Sequence, residues 1–165
     1  MNLNKLMPIQ KRLDDHIKDE QNLHGQDLLD DKILSLQVEL GELANELPEV
    51  FKFWSHKKNN YERALKEYVD CLHFILSIGL ERGNDNKNFN LCAVEGLKRN
   101  SITAQFNYLF DKIGDFSSIT NHNNYMYIVP LFIGLGEMLG FTWEQIEQAY
   151  LNKNKVNHER QENGY

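Results

Sequence analysis

Two pairs of carboxylates could do chemistry by type and spacing: Glu39 with Glu42, and Glu67 with Asp70. The first pair lies among Leu36, Val38, Leu40, Leu43 and Ala44; the second adjoins Val69, Cys71, Leu72, Phe74 and Ile75. Helical residues three apart share a face, about 5 Å apart at Cβ, so each run aims two carboxylates at one point. Packed face to face, two such helices would gather four acids. Unpaired acids in apolar surroundings are costly, and like charges raise each other's pKa. A positive charge must offset them. The donors are hard oxygens, with no paired sulfur and no closely spaced histidines, which suits Mg²⁺ together with water and phosphate oxygens. Such a centre makes bound water a better nucleophile toward phosphorus, with Glu39 or Glu42 as the carboxylate that takes the proton. A single Glu-x-x-Glu is usually a solvated helix face, because Glu is a common helix former; two pairs in runs this apolar argue for a site.

Other side chains could serve a phosphorylated substrate. The connector 49–60 holds Phe51, Phe53 and Trp54 beside Lys52, His56, Lys57 and Lys58. Connector aromatics commonly pack onto a core; the alternative is that Trp54 stacks on a base while a lysine, Lys57 foremost, reaches phosphate oxygens. The polar end offers Lys153, Asn154, Asn157 and Arg160 near helical spacing, and Arg binds oxygens bidentately. Gln10 carries a carboxamide that both donates and accepts, as reading the edge of a base requires. His73 follows Asp70 by one turn on the same face, where a histidine is more often a satisfied core residue. Glu46, one turn beyond Glu42, suits a supporting hydrogen-bond partner.

The elements that must position these groups are helical. Leu6, Ile9, Leu13 and Ile17 recur at three- and four-residue steps in a first helix from Leu3 to about Glu20. Asp27, Asp30 and Asp31 load acids at the start of a second helix, where the dipole favours them; it runs to Leu47, and Pro48 stops or kinks it. A third helix spans Tyr61 to Glu81, with Gly83 as its C-cap. One or two shorter helices fit between Asn84 and Asn124. Tyr125 to Leu139 is apolar nearly all round, as in a core or an interface. Thr142 caps a last helix from Trp143 to about Asn154. No strand is supported and no repeat is present: the fold class is all-α, a helical bundle.

Glu39-Leu-Gly-Glu42 followed by Glu67-Tyr-Val-Asp70 resembles the Glu-x-x-Glu…Glu-x-x-Asp signature of the all-α nucleoside triphosphate pyrophosphatases. The words FKFWSHKK at Phe51–Lys58, EYVDCLHFILSIG, and the closing YLNKNKVNHERQENGY resemble the dimeric dUTPases within that superfamily. The resemblance covers most of the chain and is weakest from about 84 to 124, where it implies a variable helical insertion in a single domain spanning 1–165. It implies a Mg²⁺-dependent hydrolase that converts dUTP to dUMP and pyrophosphate and also accepts dUDP. Glu39, Glu42, Glu67 and Asp70 would be the metal ligands. Gln10, Trp54 and His73 would lie at the nucleoside, and Lys57, Lys153, Asn154, Asn157 and Arg160 at the phosphates, with Gln161 completing the closing motif. It also implies a homodimer; some dimeric dUTPases are phage-encoded and engage regulatory proteins, a role these residues do not prove. The alternatives are a pyrophosphatase for another nucleotide such as dCTP, or a helical module that binds a protein partner without chemistry.

Composition bounds the rest. The chain has 165 residues, fitting one domain, and a net charge of -6, which argues against a broad nucleic-acid surface. Two cysteines, Cys71 and Cys92, make a disulfide framework unlike this sequence and favour a reducing cytoplasm. No signal-like apolar segment is present at the N-terminus, and no run approaches a membrane span.

Overall fold

The structure, a computed structural model, describes residues 2–82, 91 and 94–164. A 3-10 turn, Leu3–Lys5, leads into α1 (Met7–Glu20), α2 (Leu29–Asn45), α3 (Pro48–Phe51), α4 (Tyr61–Glu81), α5 (Ile102–Ser118), α6 (His122–Met138) and α7 (Trp143–Glu162). There is no strand among the described residues. The all-α expectation holds, and α4 has the bounds that its apolar pattern predicts. Gly83, expected as its C-cap, lies outside the described residues, as does Cys92.

α2 and α4 form the pair that matters most. They run antiparallel, as three rungs show: Arg63 Nη1 lies 3.8 Å from Glu46 Oε1, Glu39 sits beside Asp70, and Lys32 Nζ lies 2.6 Å from Glu81 Oε2. Ile33, Leu36, Leu40 and Leu43 of α2 are buried in the same core as Ala64, Tyr68, Leu72 and Ile75 of α4. Side-chain caps start the later helices: Asn60 accepts from Arg63 N, Ser101 from Ala104 N, and Asn121 from Asn124 N. Thr142 and Gln145 form a reciprocal capping box at α7.

α6 is the central post, buried on most sides. Pro130 stands inside it, and three successive carbonyls there receive bonds from outside the helix: Pro130 O from Leu97 N, Leu131 O from the Gln105 amide, and Phe132 O from the Tyr68 hydroxyl. These approaches require glycine. A Cβ on Gly134 would sit 2.2 Å from Leu97 O, and one on Gly136 would sit 2.6 Å from Tyr68 Oη. Gly134 and Gly136 therefore mark close intramolecular contact within the core. No single helix among the described residues is long and apolar enough to cross a membrane.

Three expectations need correction. Residues 3–5 form a separate 3-10 turn, because α1 begins only at Met7, with Pro8 within its first two positions. Within the expected insertion, the described residues form one helix, α5, which at 17 residues is no shorter than α2 or α6, while Leu97 N donates to Pro130 O of α6. The last helix continues past Asn154 to Glu162. The polar tail is held by long-range bonds that its own composition does not announce: Lys153 to Asp70, His158 to His16, and Gln161 to Gln21.

Candidate functional site

Glu39 comes from α2, and Glu67 and Asp70 come from α4. One carboxylate oxygen of each lies within 4.8 Å of the other two. Burial, then Asp70, Glu42 and Glu67, push the Glu39 carboxyl up to about 7. Burial, then Asp70 and Glu42, also raise Glu67. Asp70 is raised too, because burial outweighs the Lys153 ammonium, whose Nζ lies 2.5 Å from Oδ2. One lysine is too little compensation for three partly buried acids. The missing charge, the close oxygens and the hard donor set fit a divalent cation of the Mg²⁺ type. Cys71, buried behind the acids, has its thiol pushed well up by burial and offers no nucleophile.

A cavity of about 460 Å³ extends from this cluster between α1, α2, α4 and α7. Glu39 and Asp70 line it with Lys153, Asn157 and Arg160 of α7, and its wall continues through His73, Gln10, Asp14, Ser77 and Lys32. That wall is a hydrogen-bonded network. Gln10 Oε1 lies 2.7 Å from Tyr150 Oη and 2.7 Å from His73 Nδ1, while Gln10 Nε2 donates to Asp14 Oδ1 at 2.7 Å. With the amide oriented this way, its oxygen accepts and His73 carries its proton on Nδ1. Nε2 is left as a buried lone pair without a protein partner. His73 stacks on Tyr150 at 4.1 Å between ring centroids, and burial drives its pKa down to about 3. The imidazole is therefore a neutral acceptor at any physiological pH.

A family model described as dUTPase matches residues 2–165. The chain belongs to the all-α dUTPase family. Its members are dUTP diphosphatases, so the acid cluster and cavity are features of an enzyme that hydrolyses dUTP. A search of curated proteins found no match.

Measured against that family's expected site, this dUTPase brings Glu39, Glu67 and Asp70 together, with Glu42 next to them. Glu42 is exposed and outside the closest triad, but near enough to raise both Glu39 and Glu67. Glu46 contributes to Glu67 in the same direction and faces Arg63. Gln10, His73, Lys153, Asn157 and Arg160 all reach the cavity. Trp54 and Lys57 are not in its lining: the indole is 67% exposed, edge-on to Phe53 and Phe51, and Lys57 is exposed on the same connector. Phe74 is the aromatic ring in the cavity wall. Asn154 is also outside that wall, with its Nδ2 buried and unpartnered. Polar groups of the wall that the sequence motifs do not mark include Asp14, Lys18, Lys32, Ser35 and Ser77, with the Tyr150 hydroxyl bonded to Gln10 behind them. A signal existed in the helical steps 10–14, 32–39 and 70–77, which extend the faces of Gln10, Glu39 and Asp70.

Proposed function

We propose that this chain hydrolyses dUTP to dUMP and pyrophosphate with Mg²⁺, and dUDP to dUMP and phosphate at the same site. The supporting observation is the continuity of one cavity between uncompensated acids at one end and a neutral, hydrogen-bonded wall suited to a base. Glu39, Glu67 and Asp70, with Glu42 beside them, would hold the metal, which when bound polarises the phosphates and lowers the pKa of water. The side chains of this protein supply the rest. Lys153 and Arg160 place positive charge where the leaving pyrophosphate gathers negative charge, and Asn157 offers an amide donor in the same wall. Water oxygen bonds to the α-phosphorus, the α–β bridging oxygen leaves with its electron pair, and Glu39 or Glu42 accepts the water proton. His73 and Gln10 orient the nucleoside by their fixed tautomer and amide orientation. Trp54, Lys57 and Asn154 bind substrate only if the connector or the α7 side chains move toward it.

We also read the protein as a cytoplasmic homodimer: Leu34 and Val38 expose apolar surface on α2, as Phe53 and Trp54 do on the connector, and Cys71 is a free buried thiol. The function is tested by measuring pyrophosphate release from each deoxynucleoside triphosphate with and without Mg²⁺. Release from dUTP that needs Mg²⁺ and is lost in Glu67→Gln is the expected result. Equal hydrolysis without divalent cation, or none from dUTP, would refute it.

A further inference from the structure

Away from the acid cluster the cavity is lined by charges that the hydrolysis itself does not use: Asp14, Lys18, Asp31 and Lys32. Lys32 Nζ lies 2.6 Å from Glu81 Oε2 and 3.6 Å from Asp14 Oδ2, with its side chain only 11% exposed. Lys18 reaches the same Glu81 oxygen at 3.2 Å. Asp14 is hydrogen-bonded through both oxygens: Oδ1 accepts from Gln10, and Oδ2 accepts from Ser77 Oγ at 2.6 Å. Lys32 lines the cavity whereas Glu81 does not. The ammonium is thus pinned from behind, with donor capacity left toward the cavity.

Its distance from the chemistry fits the far edge of a base. Lys32 is seven residues from Glu39 on α2, and Ser77 is seven from Asp70 on α4. At 1.5 Å per residue, both helices place this end about 10 Å from the acids, roughly the reach of a nucleoside monophosphate from its phosphorus to the 4-position of the pyrimidine. Uracil has a carbonyl acceptor there, and cytosine has an amino donor. A fixed ammonium attracts the first and opposes the second.

We infer that Lys32, held by Glu81 and Asp14, is a specificity-determining residue that selects a 4-carbonyl pyrimidine over a 4-amino one. This rests on the nucleotide reading given above. A purely structural ion pair makes a different prediction: losing it would weaken turnover of every substrate alike.

The test measures kcat/KM for dUTP and dCTP in the wild type, in Lys32→Met, and in Lys32→Met/Glu81→Gln, which also removes the partner's charge. The dUTP-to-dCTP ratio should fall by at least about 10-fold in both variants, since a lost donor relaxes discrimination by this order. The unaltered protein gives a second reading that does not depend on a variant folding. 4-Thio-dUTP keeps N3–H but has a poor acceptor at the 4-position, and its KM should exceed that of dUTP by several-fold. An unchanged ratio in the folded variants, or equal KM for dUTP and its thio analogue in the wild type, overturns the inference while leaving a working dUTPase. Failure of the wild type to cleave any of these nucleotides would instead overturn the nucleotide reading, and this inference with it.

Discussion

The two ends of the cavity solve the same electrostatic problem in opposite ways. At the outer end, Glu39, Glu67 and Asp70 crowd together with one ammonium among them, and all three carboxyls are held above their ordinary values. At the inner end, Asp14 and Glu81 are matched by Lys32 and Lys18, and Glu81 is held below its ordinary value by those lysines although burial opposes them. Between them, His73 avoids charge altogether. The inner end is complete as folded, so it can serve as a rigid template. The outer end is under electrostatic tension that a bound cation would relieve.

Acid should break the middle of this arrangement first. The His73 pKa falls to about 3 on folding from an ordinary 6.5, so below pH 6.5 the unfolded chain takes up a proton that the folded one refuses. Stability from this group is intact above pH 6.5 and is lost as pH falls toward 3, by up to about 5 kcal/mol. Glu39 acts in the opposite sense, since its raised pKa favours the folded state as pH falls from 7. Urea melts of wild type and His73→Asn between pH 7 and 4.5 separate the two: the variant should lose the less stability on acidification. Equal losses would show that the imidazole protonates in place.

Glu39→Gln should sharpen the contrast at the outer end. Turnover with Mg²⁺ should drop at least ~100-fold, about 2.7 kcal/mol of barrier, while the metal-free protein melts no lower than wild type because a crowded charge has gone. Lys32→Met should do the reverse at the inner end, leaving Asp14 without its lysine and Glu81 with Lys18 alone, and costing about 2 kcal/mol in a denaturant melt, less than a fully buried pair because the network is partly solvated. If Glu39→Gln instead destabilised the metal-free protein and Lys32→Met did not, the division between a tense end and a satisfied end would be wrong. Smallest of all, Trp54→Ala should change stability by no more than about 0.5 kcal/mol, as for an exposed side chain; a raised KM for dUTP with unchanged melting would tie the indole to substrate.

Much of this was written locally. The bounds of α4 follow from an uninterrupted apolar period opened by an Asn60 cap, and the acid pairs follow from three-residue spacing, which needs no tertiary information. Gln10 and His73 were singled out individually, but not as partners. Their contact, 63 residues apart, fixes both the amide orientation and the imidazole tautomer. Trp54 shows the limit from the other side: an aromatic in a basic connector reads as a base platform, yet the connector leaves its ring in solvent outside the cavity.

The sequence by itself determined the bounds of α4, the Thr142 cap of α7 and the presence of acids where a buried face should be apolar, because these depend on interactions within a turn or two of chain. The tertiary structure alone decided which acids converge, that Glu42 stays outside the closest three, and that Lys32 and Asp14 line the same cavity. Those outcomes depend on how antiparallel helices register against one another. Register is set by packing of the whole core around α6, and no short stretch of sequence records it.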